Sequence, residues 1–360
     1  MEPRISRRNL LRAAAVVPAA SVPSDAPLPI YRRRPPGRSD STRSTVAVIP
    51  GNDRYTNITQ ALLEIEGDIH SAMDGKRSIL IKPNIVDPTC ALGITHPDAI
   101  RAILDFFVPR FKGSIVIGES SAFDTWTGYN TLGYPALVQS YSPHQIQLVD
   151  FNQEGNYVVQ QLLDHDSHVA PTRLAARLFD PTAFVISVAM LKTHNVVVAT
   201  MTVKNMVVGS ALHQPPGAST SWNDKRNFHV GVRGQNYDMF LNAQKQRPFW
   251  GLGIIDGYDG MEGDGPTGGT AVASRIALAS TDLIALDRVG LEAMGIDPAT
   301  VGYLTFCGEA GVGQYDLSQI DMRPVAIAPY AKTYQLHSDH SQEVLWMTAA
   351  PTTSDNPILG

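Results

Sequence analysis

Short apolar runs alternate along the chain with segments whose apolar residues recur every three or four positions. The first run, residues 45–49 (TVAVI), is closed by Pro50-Gly51 and predicts a strand. Apolar residues at positions 58, 62, 65, 69 and 73 follow at helical spacing and predict a helix. The same criteria predict strands over 78–81, 114–117, 145–149, 183–188, 252–255 and about 274–279, and helices over about 173–179 and about 282–294. A capping box at Thr95 and Asp98, with Pro97 near the first turn and apolar residues at 100, 103, 104 and 107, predicts a further helix.

This order of elements determines the expected fold class. Strands that are short and apolar throughout, with helices between them, are typical of a largely parallel sheet covered on both faces. We therefore predict an α/β fold with helices on both faces of such a sheet. Open parallel sheets bind their ligands beyond the carboxyl ends of the strands, so we expect a ligand crevice there.

The first 43 residues differ in charge from the rest of the chain. They hold nine arginines against three carboxylates, whereas the remaining residues hold 20 basic and 31 acidic groups, a net charge of −11. Arg7-Arg8, then Leu10-Leu11 and the small residues 13–20, resemble a twin-arginine export signal; a disordered basic tail is the alternative. We predict a signal peptide over 1–24, a Pro-, Arg- and Ser-rich linker over 25–44, and a periplasmic or extracellular protein that engages the twin-arginine export machinery.

Composition excludes several classes of protein. The acidic body argues against a nucleic-acid partner, and no apolar run approaches the ~20 residues of a membrane-spanning helix. Two cysteines, Cys90 and Cys307, are too few for a disulfide scaffold, a four-thiolate zinc site or an iron–sulfur cluster of the chain's own. They could form one bridge or be two buried thiols.

Polar residues follow the predicted strands at the points where the strands end. Lys82-Pro83-Asn84 follows the second strand, Glu119 the third, Lys192 and His194 the strand at 183–188, and Asp256 the strand at 252–255. Because these ends meet at one edge of a parallel sheet, we expect the residues to share one crevice.

The residue types suggest roles in that crevice. Lys82, Lys192 and Lys204 are candidates for holding an anionic substrate, and Glu119 and His194 for moving a proton. Lys204 lies in an apolar stretch, where a lysine is costly without a partner. We expect it to face the crevice, with an ion pair to a buried carboxylate such as Glu119 as the alternative. Asp256, Glu262 and Asp264 lie in a glycine-rich segment and could hold a divalent metal, or form an acidic surface loop.

Seven short motifs taken in order resemble one family, and this resemblance covers roughly residues 45–310. They are Lys82-Pro83-Asn84, Thr95-His96-Pro97, Gly118-Glu119-Ser120, Leu191-Lys192-Thr193-His194, Lys204-Asn205-x-x-x-Gly209, Asp256-Gly257 and Glu262-Gly263-x-Gly265-Pro266. The family is called domain of unknown function 362. The resemblance adds Asn84, His96 and Asn205 to the candidate substrate-binding residues and leaves 311–360 as a C-terminal extension. Some members carry ferredoxin-like modules, for which this chain lacks the cysteines.

Three functions are compatible with these residues. The favoured one is an enzyme that acts on a small carboxylate or phosphate, with a divalent metal as a possible cofactor. The alternatives are a periplasmic anion- or metal-binding or accessory protein of a redox system without turnover, and a structural partner of a redox complex. The segment 215–230, rich in Pro, Gly and Ser, is long for a simple connection, and we expect it to fold over the site as a lid.

Overall fold

The structure is a computed structural model that describes residues 43–215 and 217–347. Its strands are β1 Ser44–Pro50, β2 Ser78–Lys82, β3 Ser114–Glu119, β4 Ile146–Asp150, β5 Tyr157–Leu163, β6 Val169–Ala175, β7 Ala183–His194, β8 Val198–Thr200, β9 Trp250–Glu262, β10 Thr270–Val272, β11 Ile276–Ser280 and β12 Ile320–Pro324. The predicted export signal and linker lie outside the described residues, apart from positions 43 and 44.

The α-helices flank these strands along the chain. They are α1 Arg54–Glu64, α2 Glu66–Ala72, α3 Pro97–Phe107, α4 Thr125–Thr131, α5 Tyr134–Gln139, α6 Phe151–Glu154, α7 Thr202–Val207, α8 Gly231–Gln246, α9 Leu283–Met294, α10 Gly302–Glu309 and α11 His340–Glu343. Short 3-10 helices span Ala91–Gly93, Ala176–Phe179, Asp224–Phe228, Arg247–Phe249, Pro298–Thr300, Leu317–Gln319, Ala328–Tyr330 and Val344–Met347. No helix within 43–215 or 217–347 is long and apolar enough to cross a membrane.

Ten strands of the described chain form one mixed sheet, and the predicted α/β class is confirmed. The strand order is β12-β1-β11-β9-β7-β2-β3-β4, with β8 paired to β7 and β10 to β9. The neighbours from β9 to β4 are all parallel, whereas β11 runs antiparallel to both β9 and β1. The segment after residue 310, predicted as an extension, contributes β12, which pairs with β1.

Apolar residues cover both faces of the sheet. Along β7, Phe184 and Ile186 belong to a core with α1 and α3, whereas Val185 and Leu191 belong to a second core with α7 and α9. Alternate residues of a strand point to opposite faces, so the two cores lie on the two sides of the sheet. This is the arrangement of helices on both faces that the sequence predicts.

Several element boundaries differ from the sequence-based predictions. The helix predicted around 173–179 is wrong at its start, because residues 169–175 pair with β5 in a two-stranded hairpin, and only Ala176–Phe179 is helical, as a 3-10 helix. The helix predicted from 58 to 73 is interrupted at Ile65, which separates α1 from α2. The strand predicted over 252–255 extends from Trp250 to Glu262, so that Asp256 lies within a strand rather than after it. Strand pairing outweighs local propensity at residues 169–175 and 256–262.

The two cysteines are both free thiols. Cys307 is buried in α10, whereas Cys90 is only partly buried and its Sγ lies 3.2 Å from the carbonyl oxygen of Thr267. Of the two arrangements compatible with the sequence, the structure therefore has unpaired thiols.

Candidate functional site

A pocket of about 240 Å³ lies where β2, β3 and β7 end, as the sheet topology predicts. We call it the lysine pocket. It is lined by Asn84, Ile85, Val86, Glu119, Ser120, Ala122, Lys192, His194, Thr200, Lys204, Asn205, Val208, Gly209, Asn223, Lys225, Arg226, His229 and Pro266. Five other residues that the sequence predicts for the site line the same cavity as Lys204. They are Asn84, Glu119, Lys192, His194 and Asn205.

A buried ion pair forms the floor beside this pocket. Lys82 Nζ lies 2.6 Å from Glu119 Oε1 and also donates to Asn205 Oδ1 at 3.2 Å. Glu119 accepts two further hydrogen bonds, from the backbone N–H of Ile85 and of Ser120. Burial lowers the pKa of Lys82, and the carboxylate of Glu119 opposes that shift. Lys82 is thus committed to Glu119, although the sequence places it among the substrate ligands.

Close packing around this ion pair explains a glycine of the motif. A Cβ atom on Gly209 would lie 2.7 Å from Lys82 Nζ, with the backbone oxygen of Asn205 closer still. The side chain of Asn205 also donates to the carbonyl oxygen of Lys82 and to Ser187 Oγ. A larger residue at 209 would therefore displace the lysine that neutralises Glu119.

Three other lysines line the pocket wall. Lys192 Nζ donates to Asn84 Oδ1 at 2.8 Å and to the carbonyl oxygen of Gly93 at 2.9 Å. Lys225 Nζ donates to the carbonyl oxygen of Ala211 at 2.7 Å and to Ser120 Oγ at 3.2 Å. The amino group of Lys204 has no hydrogen bond or ion pair to any residue within 43–215 or 217–347. The wall thus carries three amino groups and no carboxylate paired to them.

Burial destabilises the charged form of these amino groups. It lowers the pKa of Lys192 to about 8, and it lowers the pKa values of Lys204 and Lys225 to about 7. The neighbouring charge of Lys192 lowers the pKa of Lys204 further. Uncompensated buried cations of this kind are stabilised when an anion binds among them.

Both ends of the helix that carries Lys204 are fixed by buried side chains. Asp287 accepts from the N–H groups of Thr202 and Val203 at the start of α7, and burial raises the pKa of this carboxyl to about 7. At the other end, Asn242 of α8 donates to the carbonyl oxygen of Val207 at 2.7 Å. The position of Lys204 is therefore set by the fold and not by a partner of its own.

Two histidines line the pocket, and the Nε2 atoms of their neutral rings have opposite hydrogen-bonding roles. His194 Nδ1 accepts from the N–H of Val196, so the proton of the neutral ring is on Nε2. His229 Nδ1 lies 2.8 Å from the carbonyl oxygen of Lys225 and must donate to it, which leaves Nε2 as an acceptor. Burial lowers both pKa values, that of His194 well below its usual range. His194 is thus a donor, and His229 is the better base.

Lys225 and His229 are site residues that the sequence-based analysis missed. They lie in the segment expected to be a lid, and its second half does lie against the pocket. Arg173 of β6 fastens this segment: Nε donates to Asp224 Oδ2 at 2.8 Å and Nη2 donates to Oδ1 at 2.9 Å. The guanidinium also stacks on Trp222 at 3.5 Å from the ring centre. A lysine next to an aspartate in a loop gives no sequence signal for burial.

His96 and the three predicted metal ligands lie elsewhere. His96 caps α3, where Nδ1 accepts from the N–H of Asp98. Asp256 forms an ion pair with Arg54 of α1 at 2.9 Å. Glu262 and Asp264 accept from the backbone N–H groups of Gln335 and Ser338.

The three carboxylates Asp256, Glu262 and Asp264 therefore do not fit one metal site, because each has a different protein partner. Within the described ranges, the side chains that could together hold an ion are Asp164, Asp166 and His168 in the exposed β5–β6 turn. Exposed acidic turns of this kind are common without a metal.

Residues 79–292 match the family described as Domain of unknown function (DUF362). The chain belongs to this family. It is also 28% identical over 248 residues to Thylakoid-associated protein sll1697 of Synechocystis sp., an alignment that covers 67% of this chain and 70% of that protein. The motifs that carried the resemblance from Lys82 to Pro266 all lie inside the matched range.

Two solved structures align with part of the chain at low similarity. A structural-genomics target from Thermotoga maritima aligns over 57% of this chain at 12% identity, with a TM-score of 0.35. The lactate racemase apoprotein from Thermoanaerobacterium thermosaccharolyticum aligns over 60% at 11% identity, with a TM-score of 0.34. The chain spans about half the length of each, 51% and 50% respectively.

Proposed function

We propose that the lysine pocket binds a small anion, a carboxylate or a phosphate, and that this member of the DUF362 family is an enzyme acting on it. The observation that carries the proposal is the unpartnered amino group of Lys204 between Lys192 and Lys225. Burial disfavours the protonated form of all three amines, and none of them is paired with a carboxylate. The charge of Glu119 partly opposes this effect at Lys192 and Lys225, and a bound anion would oppose it at all three.

Thermal melting in the presence of anions tests the binding proposal. Sulfate, phosphate and malonate should raise the melting temperature by mass action, because the folded state alone holds the pocket. Lys204→Met keeps the apolar stem and removes one of the three amino groups, so it should clearly reduce the anion-dependent rise without lowering stability in the absence of anion. Lys112→Met, at an exposed lysine, is the matched control and should retain the full rise. Equal anion responses in both variants would contradict the proposal.

Turnover depends on a group that can move a proton. Glu119 is held by Lys82 and two backbone donors, and His194 presents a donor, so His229 is the group we assign to proton transfer. His229→Asn preserves a donor toward the carbonyl oxygen of Lys225 and removes the accepting nitrogen. An enzyme should deplete an anionic metabolite from a native extract, and this variant should lose that activity while keeping its sulfate-dependent melting shift.

A binding or accessory protein without turnover is the second candidate. The contacts of Glu119 and His194 favour it, since Glu119 is paired with Lys82 and His194 presents a donor rather than a base. Metabolite extracts distinguish the two candidates: a binding protein should retain an anion that mass spectrometry identifies, with no depletion beyond one equivalent and no effect of His229→Asn.

We also propose that the protein is exported through the twin-arginine route, on the basis of Arg7-Arg8 and the residues that follow them. Replacing both arginines with lysine should leave the protein in the cytoplasm with its leader uncut. Normal periplasmic recovery of that variant, or a mature protein beginning at Met1, would contradict this assignment.

A further inference from the structure

The three wall lysines differ in what their amino groups can do. Lys192 and Lys225 each donate to two acceptors of the protein, including a backbone carbonyl oxygen. Those contacts fix the two ammonium groups in place and suit them to holding a charged ligand. The amino group of Lys204 makes no such contact within the described ranges, although the residue lines the same pocket.

An amine becomes a nucleophile only when it is neutral. Burial and the nearby charge of Lys192 lower the pKa of Lys204 to about 7, so a large fraction is unprotonated near neutral pH. The neutral amine needs no acceptor, which agrees with its lack of a partner. Lysines desolvated next to another cation are the type that form imines with carbonyl compounds.

We propose that Lys204 forms a Schiff base with a substrate that carries both a carbonyl group and an anionic group, such as a 2-oxo acid. The inference rests on the proposed anion site, which would hold the carboxylate or phosphate against Lys192 and Lys225. It names the reacting amine of that site and narrows the substrate to carbonyl compounds.

The other groups of the pocket fit the steps of imine formation. The Nζ lone pair adds to the carbonyl carbon, and the electron pair of the C=O bond moves to the oxygen, toward which His194 Nε2–H can donate. His229 Nε2 accepts a proton from the nitrogen and returns one to the hydroxyl group, which leaves as water. In balance, one amine, one carbonyl group and one proton give one protonated imine and one water.

Borohydride reduction traps such an intermediate. The full-length protein would be incubated at pH 7.5 with pyruvate, 2-oxoglutarate or glyceraldehyde 3-phosphate, then reduced with sodium borohydride and analysed by intact mass and peptide mapping. We expect one adduct on Lys204 whose mass is that of the probe less one oxygen, formed at least tenfold faster than on any other lysine. Excess sulfate should suppress it by occupying the anion site.

Two variants at position 204 separate the chemistry from the binding. Lys204→Arg keeps a cation that cannot form an imine, so it should retain sulfate-dependent stabilisation and lose the adduct. Lys204→Met should lose the adduct and show a reduced sulfate-dependent stabilisation. Lys225→Met should still be modified at Lys204, but at a higher probe concentration.

The outcomes distinguish failure of this inference from failure of the proposed function. No Lys204 adduct with any of the three probes, or adducts spread equally over surface lysines, would overturn the inference, even if sulfate still stabilised the protein. If sulfate did not stabilise the unmodified protein, the anion site itself would be overturned. If Lys204→Arg does not fold, the comparison of the unmodified protein with Lys204→Met still decides whether the adduct requires Lys204.

Discussion

Two buried lysines of the site, Lys82 and Lys204, have opposite environments. Lys82 at the floor has a carboxylate at 2.6 Å and an amide oxygen at 3.2 Å, whereas Lys204 on the wall has no partner within the described ranges. Burial alone therefore does not indicate what a lysine does. A buried lysine with a counter-charge stabilises the fold, whereas a buried lysine without one is available to bind a ligand.

The largest expected effect is a loss of stability when the buried ion pair between Lys82 and Glu119 is broken. Lys82→Met leaves the charge of Glu119 buried without its cation, which should cost about 3–5 kcal/mol of unfolding free energy. Urea denaturation would measure this loss. The double variant Lys82→Met/Glu119→Gln should recover part of it, because the stranded charge is removed. If Lys82→Met were as stable as the unmodified protein, the floor ion pair would not be structural, and the contrast with Lys204 would disappear.

The wall lysines should make stability depend on pH above 7. Lys204 and Lys225 have folded-state pKa values of about 7, below the usual lysine value of 10.5. The unfolded chain therefore binds more protons between pH 7 and 10.5, and stability without anion should rise with pH across that window. Lys204→Met should flatten the rise, which melting curves in a buffer free of polyvalent anions would detect.

Anion affinity should change in the opposite direction. Sulfate binding favours the protonated lysines, so the affinity should be highest below pH 7 and should fall above it, by about tenfold per pH unit for each proton linked. Sulfate keeps a constant charge across this range, so the change reports on the protein. Isothermal titration at pH 6, 7 and 8 measures it, and a constant affinity would mean that the wall lysines do not titrate in this range.

The smallest effect is expected at His96, which the sequence placed in the site and the structure places at the start of α3. His96→Ala removes the side-chain cap to the N–H of Asp98 and should cost about 1 kcal/mol of stability. Sulfate affinity should not change, because His96 does not line the pocket. A marked loss of affinity in this variant would show that the ligand site extends to α3.

Local patterns in the chain were sufficient for the α/β class and for most of the site. Apolar runs and helical periods have a local physical cause, the need to bury one face of each element, so they predict the sheet and its helices. Lys192, His194, Glu119 and Asn84 lie near one another because parallel strands end at a common edge, and a sequence can show where strands end. Lys204 was expected in the crevice because an apolar stretch makes a lysine costly.

Tertiary structure alone decided which charges meet. Glu119 pairs with Lys82 across 37 positions of sequence and not with Lys204, and Asp256 pairs with Arg54 across more than 200. Local composition carries no information about such distances. Lys225 and His229 reach the pocket because Arg173 holds Asp224 against the hairpin, in a segment without helical or strand period. The sequence by itself determined the elements and the edge where the site forms; long-range packing decided which lysine is neutralised and which is left for a ligand, because a counter-charge acts through space and not along the chain.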